Sequence, residues 1–149
     1  MKKQPRLTVN PEILDEVRAV YKELATRPAA RNCTLLTECC QFKLTGRTPQ
    51  LTRGEALLAA RAFRATGRKQ PPESPDGSCP MLDPKSGRCL IYENRPFGCR
   101  THFCRAAGGP YERRDVLDLI RRLEAVDARL GGDGPHPIQG AVQSALKTL

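Results

Sequence analysis

Seven cysteines in 149 residues are the side chains of this chain best suited to chemistry. They fall into two groups, Cys33, Cys39 and Cys40, then Cys79, Cys89, Cys99 and Cys104. Thiolates are soft ligands that suit zinc and iron–sulfur clusters. A four-cysteine tetrahedral site, or a cluster, that drew on both groups would tie segments 33–40 and 79–104 together. The spacing contains neither a tight two-residue knuckle pair nor a ferredoxin run, so spacing alone does not choose the metal. Adjacent side chains such as Cys39 and Cys40 diverge by about 100° on a helix and point to opposite faces of a strand. One ion would accept both only with an unusual backbone, so there are two sites or one of the pair has another role. Any single cysteine can also be a small buried apolar residue. Seven together in so short a chain point to metal, and all seven are candidate ligands.

The compartment bears on this reading. The chain opens Met1-Lys2-Lys3-Gln4-Pro5-Arg6 with no apolar run of signal-peptide length behind it, and no stretch approaches the roughly 18 apolar residues of a membrane span. The expectation is a cytoplasmic protein without membrane contact, whose thiols stay reduced and serve metal or redox chemistry before disulfides. The odd count of seven also argues against a fully paired set.

The formal charge of +9 suggests an acidic partner, either RNA or an acidic protein. One tetrathiolate zinc site would lower that figure to about +7. Tryptophan is absent and aromatics make up 5% of the chain, which gives single-strand recognition few stacking platforms. No phosphate-cradling loop, Ser–His–Asp set or HExxH run is present, and two histidines leave little scope for either kind of catalysis.

The elements that must position the cysteines are helices. Asn10 and Pro11 read as N-cap and first residue of a helix over 11–26, whose stripe is Ile13, Leu14, Val17, Val20, Tyr21 and Leu24. Thr52 and Glu55 form a capping box for a helix over 53–66, with Leu57, Ala60 and Phe63 inward, Arg61, Arg64 and Arg68 outward, and Gly67 as its stop. The stretch 67–86 holds Pro71, Pro72, Pro75, Pro80 and Pro84 and reads as a long loop that metal ligation would pin. The strongest pattern is the helix over 111–130, with Val116, Leu119, Ile120, Leu123, Val126 and Leu130 on one face and Gly131-Gly132 closing it. A turn over 131–137 leads to a last short helix, 138–148. Strands are few or absent, with 88–92 the best candidate.

Several runs resemble the YkgJ-like cysteine-cluster family, the CxxCxxCC zinc- or iron-chelating domain. They are Cys33-Thr-Leu-Leu-Thr-Glu-Cys39-Cys40, Leu51-Thr-Arg-Gly-Glu-Ala56, Cys79-Pro-Met-Leu82 and, most specifically, Gly87-Arg-Cys-Leu-Ile-Tyr-Glu-Asn-Arg-Pro-Phe-Gly-Cys-Arg100. The resemblance spans about residues 33–105. It implies an eight-cysteine pattern holding an iron–sulfur cluster, of the [4Fe–4S] type, or Zn²⁺. Here the second family cysteine falls on Leu36, which cannot bind metal. His102, between Cys99 and Cys104, is either an eighth donor or a surface histidine. Arg95 and Arg100, within the most specific run, would stabilise thiolates if their N–H groups reached sulfur. Tyr92 and Phe97 would either shield the site from water or simply pack.

The combined expectation is a mainly α, small, irregular, metal-stapled domain of three to four helices around a cysteine-bound centre. It is a single domain over 1–149, with the metal-binding segment at 33–105 and a C-terminal helical part at 111–149, and it acts as a monomer. Its function would be redox, electron-transfer or metal-handling work as an accessory protein. The alternative is a zinc-stapled basic module that binds RNA or an acidic protein through Arg61, Arg64, Arg68, Arg121, Arg122 and Arg129. A third reading is a metal-dependent enzyme using a ligand position left open by Leu36.

Overall fold

Among the described residues, the apolar spacing in the sequence becomes four packed helices, with Cys79, Cys89 and Cys99 in shorter segments between them. The computed structural model describes residues 11–27, 48–68, 79–83, 85–86, 88–101 and 112–149. Helix α1 (Pro11–Thr26) buries Leu14, Val17, Val20, Tyr21 and Leu24 along one stripe, as its periodicity requires. Strand β1 (Gln50–Leu51) leads into α2 (Arg53–Ala65), whose start is set by the Thr52–Glu55 capping box. Gly67, at φ +87°, takes the left-handed conformation beyond its end. A 3₁₀ turn (Tyr92–Asn94) and the short α3 (Phe97–Thr101) follow. Helix α4 (Arg113–Arg129) stops at Gly131, again left-handed at φ +73°. Strand β2 (His136–Pro137) and α5 (Ile138–Thr148) complete the described fold.

Helix α2 is the central element. Every residue from Gly54 to Ala60 is buried, and Phe63 with them, because α1, α4 and α5 all pack on it. Leu57 joins a cluster with Leu14, Leu51, Phe63, Ile138 and Val142. Its neighbour Leu58 joins a second, with Val17, Tyr21, Phe97, Leu119 and Leu123. Burying each such side chain is worth roughly 1.5–3 kcal/mol relative to leaving it exposed. Gly54 sets how closely the helices approach, since a Cβ there would lie 2.9 Å from both Val17 Cγ2 and Val126 Cγ1.

The two strands pair antiparallel, Gln50 opposite Pro137 and Leu51 opposite His136, and the Ile138 amide donates to the Pro49 carbonyl at 3.0 Å. This small sheet sets the starts of α2 and α5 side by side. Asp127, buried on α4, accepts the Arg53 amide at 2.7 Å and the Gly134 amide at 3.0 Å. It thereby satisfies an otherwise unpaired donor at the start of α2 and fixes the loop after α4. At Gly132 a Cβ would fall within 2.6 Å of three atoms of that carboxylate, so a side chain there would have to displace Asp127 from its hydrogen bonds. Exposed ion pairs Arg122–Glu23, Arg129–Glu16 and Arg27–Asp118 line the α1–α4 seam. Exposed pairs of this kind add little each.

The mainly helical expectation is met, with the helices over 11–26, 53–66, 111–130 and 138–148 placed within two residues of their bounds. Asn10 lies outside the described residues. The helix at Phe97–Thr101 and the two-stranded sheet, one strand of which (His136–Pro137) lies inside the expected turn over 131–137, are additions. The strand expected over 88–92 contracts to a single bridge, Cys89 opposite Leu82, because the chain turns into the 3₁₀ helix at Tyr92. Among the described residues no helix is long and apolar enough to cross a membrane.

Candidate metal centre

The cysteine segment after α2 is organised by a short hairpin. Leu82 and Cys89 form its antiparallel bridge, the Asp83 amide donates to the Arg88 carbonyl at 2.8 Å, and the Leu90 amide donates to the Met81 carbonyl at 2.8 Å. The Asp83 carboxylate closes the turn by accepting the Lys85 amide at 3.1 Å and the Ser86 hydroxyl at 2.9 Å. These bonds, the Lys85 amide first, hold its pKa below the ordinary aspartate value. Met81 and Ile91 anchor the hairpin in the cluster that contains Leu57 and Phe63. Cys79, 5% exposed, belongs to that cluster, and half-buried Cys89 packs against it. The hairpin thus brings Cys79 and Cys89 into one neighbourhood.

Cys99 reaches the frame by another route. It lies on α3, where its own amide donates to the Pro96 carbonyl at 3.0 Å. The Phe97 amide at the start of this helix donates to Glu55 Oε1 at 2.7 Å. Glu55 is only 2% exposed. Its Oε1 also accepts the Tyr21 hydroxyl at 3.1 Å, and its Oε2 accepts the Thr52 amide at 3.0 Å and the Thr52 hydroxyl at 2.9 Å. Burial raises the Glu55 pKa, and the four donors oppose that rise. Tyr21 is pushed well above its ordinary value, chiefly by burial and next by the Glu55 charge.

The arginines of this segment brace its backbone. Arg95 Nε donates to the Tyr92 carbonyl at 3.0 Å, and its guanidinium lies 4.0 Å from the centre of the Tyr92 ring. Arg100 donates through Nε to the Arg95 carbonyl at 2.7 Å and through Nη2 to the Glu93 carbonyl at 2.8 Å, with its guanidinium 4.3 Å from the Tyr21 ring centre. Burial lowers the Arg100 pKa, and charge on Tyr21 and Cys99 acts in the opposite direction. Both side chains were expected to donate to sulfur; the hydrogen bonds described for them go to carbonyls of residues 92–95. Phe97 is buried, whereas Tyr92 is 37% exposed, with Arg95 over its ring.

Cys33, Cys39, Cys40, Cys104, Leu36 and His102 lie outside the described residues. Among the described residues, no three side chains of the histidine, cysteine, aspartate or glutamate types form a group able to hold a metal ion. The donor set nevertheless fits a soft metal. Cys79, Cys89 and Cys99 are buried or half-buried, and hydrogen bonds fix the backbone that carries them.

Residues 29–118 match the CxxCxxCC family, described as a putative zinc- or iron-chelating domain. The chain belongs to that family. The match takes in both cysteine groups, α2 and the start of α4, and so extends beyond the 33–105 of the sequence resemblance. No curated protein and no solved structure matches the chain. Zinc or iron chelation is the property the CxxCxxCC description carries.

Sequence reasoning missed Glu55 and Tyr21 as parts of this neighbourhood. Glu55 was accounted for as the N3 residue of a capping box, and Tyr21 as one position of an apolar stripe. The signal available was chemical: a glutamate and a tyrosine hydroxyl that are both buried must find partners.

Proposed function

We propose that this CxxCxxCC protein binds an iron–sulfur cluster of the [4Fe–4S] type, or Zn²⁺, through Cys33, Cys39, Cys40, Cys79, Cys89, Cys99 and Cys104. It serves as a redox, electron-transfer or metal-handling accessory, a monomeric single domain of the cytoplasm. The observation that carries this reading is the family match over both cysteine groups, joined to a scaffold that fixes three of the thiols on hydrogen-bonded backbone. A bound cluster would supply one-electron redox chemistry, and bound zinc a structural staple. The chain's own part is to hold thiolates in fixed positions and keep water from them. Met81, Ile91 and Phe97 anchor the ligand-bearing segments in the two apolar clusters.

The arginine face of the alternative reading is partly engaged elsewhere. Arg122 and Arg129 pair with Glu23 and Glu16, and Arg64 donates to the Leu146 carbonyl. Anaerobic purification of the full chain, followed by elemental analysis and a visible spectrum, tests the proposal. A brown protein with sulfur-to-iron charge-transfer absorption supports the cluster. A colourless protein with stoichiometric zinc supports zinc and ends the iron reading. Protein retaining neither metal overturns the proposal.

A further inference from the structure

Glu55 accepts four hydrogen bonds, and they arrive from three parts of the fold. The Thr52 amide and hydroxyl belong to the start of α2, the Tyr21 hydroxyl to α1, and the Phe97 amide to the start of α3. A carboxylate offers acceptors only, so all four donors are satisfied at once by its two oxygens. The carboxylate lies at the N-terminal turns of two helices, whose amides have no partner within the helix. Cys99 follows Phe97 by two residues on the same short helix. Arg100, next to Cys99, stacks over the ring of the same Tyr21. Five residues cannot hold a helix by their own hydrogen bonds, so the placement of Cys99 depends on these external ties.

We infer that Glu55 is the positioning residue of the cysteine centre, fixing the α3 turn so that Cys99 is presented from the frame of α1 and α2. Its bearing on metal rests on the reading of Cys99 as a ligand; its bearing on the order of α3 does not. Glutamine cannot replace it. The hydroxyls of Tyr21 and Thr52 can rotate to accept a hydrogen bond, but the Phe97 and Thr52 amides only donate, and one of them must face the glutamine NH₂.

The test uses the full chain, prepared anaerobically, as wild type, Glu55→Gln and Tyr21→Phe. Two quantities are measured: the affinity for metal, by competition with a chelator, and alkylation of Cys99 and Cys79 in the same molecules, resolved by peptide mass spectrometry. In Glu55→Gln, metal affinity falls about 10–100-fold, as when a ligand-orienting partner is lost. Compared at equal metal content, so that emptied sites expose neither thiol, alkylation of Cys99 rises about tenfold or more, from local opening of α3, while that of Cys79, buried in the apolar cluster, changes less than about twofold. Tyr21→Phe removes one of the four donors and gives a smaller change in the same direction. Equal acceleration at both cysteines would mean general unfolding and would overturn the inference, as would unchanged alkylation of Cys99. Wild-type protein without metal would instead defeat the metal reading, with the alkylation ratio still reporting on Glu55.

Discussion

Replacing Gly54 by alanine sets two physical effects against each other, and the structure decides the sign. Helix propensity alone favours alanine by at most about 1 kcal/mol. The new Cβ, however, would sit 2.9 Å from Val17 Cγ2 on α1 and 2.9 Å from Val126 Cγ1 on α4, with Leu130 Cδ1 at an ordinary 3.7 Å. Both valines are buried, at 0% and 4% exposure, and a β-branched side chain in a helix has essentially one rotamer. Neither methyl can swing aside, so each helix must withdraw by about 0.5 Å to restore ordinary contact. Overpacking of this kind costs about 1–3 kcal/mol. The net expectation for Gly54→Ala is a loss of about 1–2 kcal/mol, or a fall of about 2–8 °C in Tm for a chain of this size. Urea denaturation followed by circular dichroism measures it. Val17→Ala removes one of the two obstructing methyls, so the double variant should be more stable than the sum of the single losses by about 1 kcal/mol. A Gly54→Ala protein as stable as wild type, or more stable, would refute the close approach of the three helices.

Three further outcomes follow from the same geometry. Asp127→Ala strands the buried start of α2 and frees the loop at Gly134, and should cost about 2–4 kcal/mol in the same denaturation assay. Asp118 is held at a pKa of about 2, first by its hydrogen bond from Arg27. A depressed folded-state carboxyl adds stability above its unfolded pKa, and that stability is lost as pH falls toward about 2; acid titrations of wild type and Asp118→Asn should therefore converge at the low end of that range and separate above about pH 4, by a small amount because the pair is exposed. Cys89→Ser and Cys99→Ser should each abolish metal retention, measured by elemental analysis, and full metal content in both would show these ligands to be wrongly assigned.

Much of the helical frame was legible because it depends on local periodicity and punctuation. The stripe from Leu14 to Leu24, the Thr52 start and Gly67 stop of α2, and Gly131 after α4 all act within a few residues of themselves. What escaped depends on distant partners. Gln50 and Leu51 become a strand only by meeting Pro137 and His136, and no local pattern marks either pair. Phe97–Thr101 is too short to show a period, and its N-terminal tie runs to a glutamate 42 residues away. Glu55 itself was concealed by a sufficient local explanation: the capping box uses one carboxylate oxygen, while the other holds α1 and α3. Arg95 and Arg100 were legible as residues close to the cysteines, but not as braces of their own loop, since that depends on which carbonyls the 3₁₀ turn exposes.

Native mass spectrometry of the full chain, prepared without oxygen, bears most directly on metal binding through thiolates. The expected result is a discrete mass above that of the bare polypeptide, matching zinc or an iron–sulfur cluster, which disappears on acidification as the thiolates are protonated. A spectrum showing only the bare chain, or one lightened by the hydrogens that disulfides remove, would contradict it.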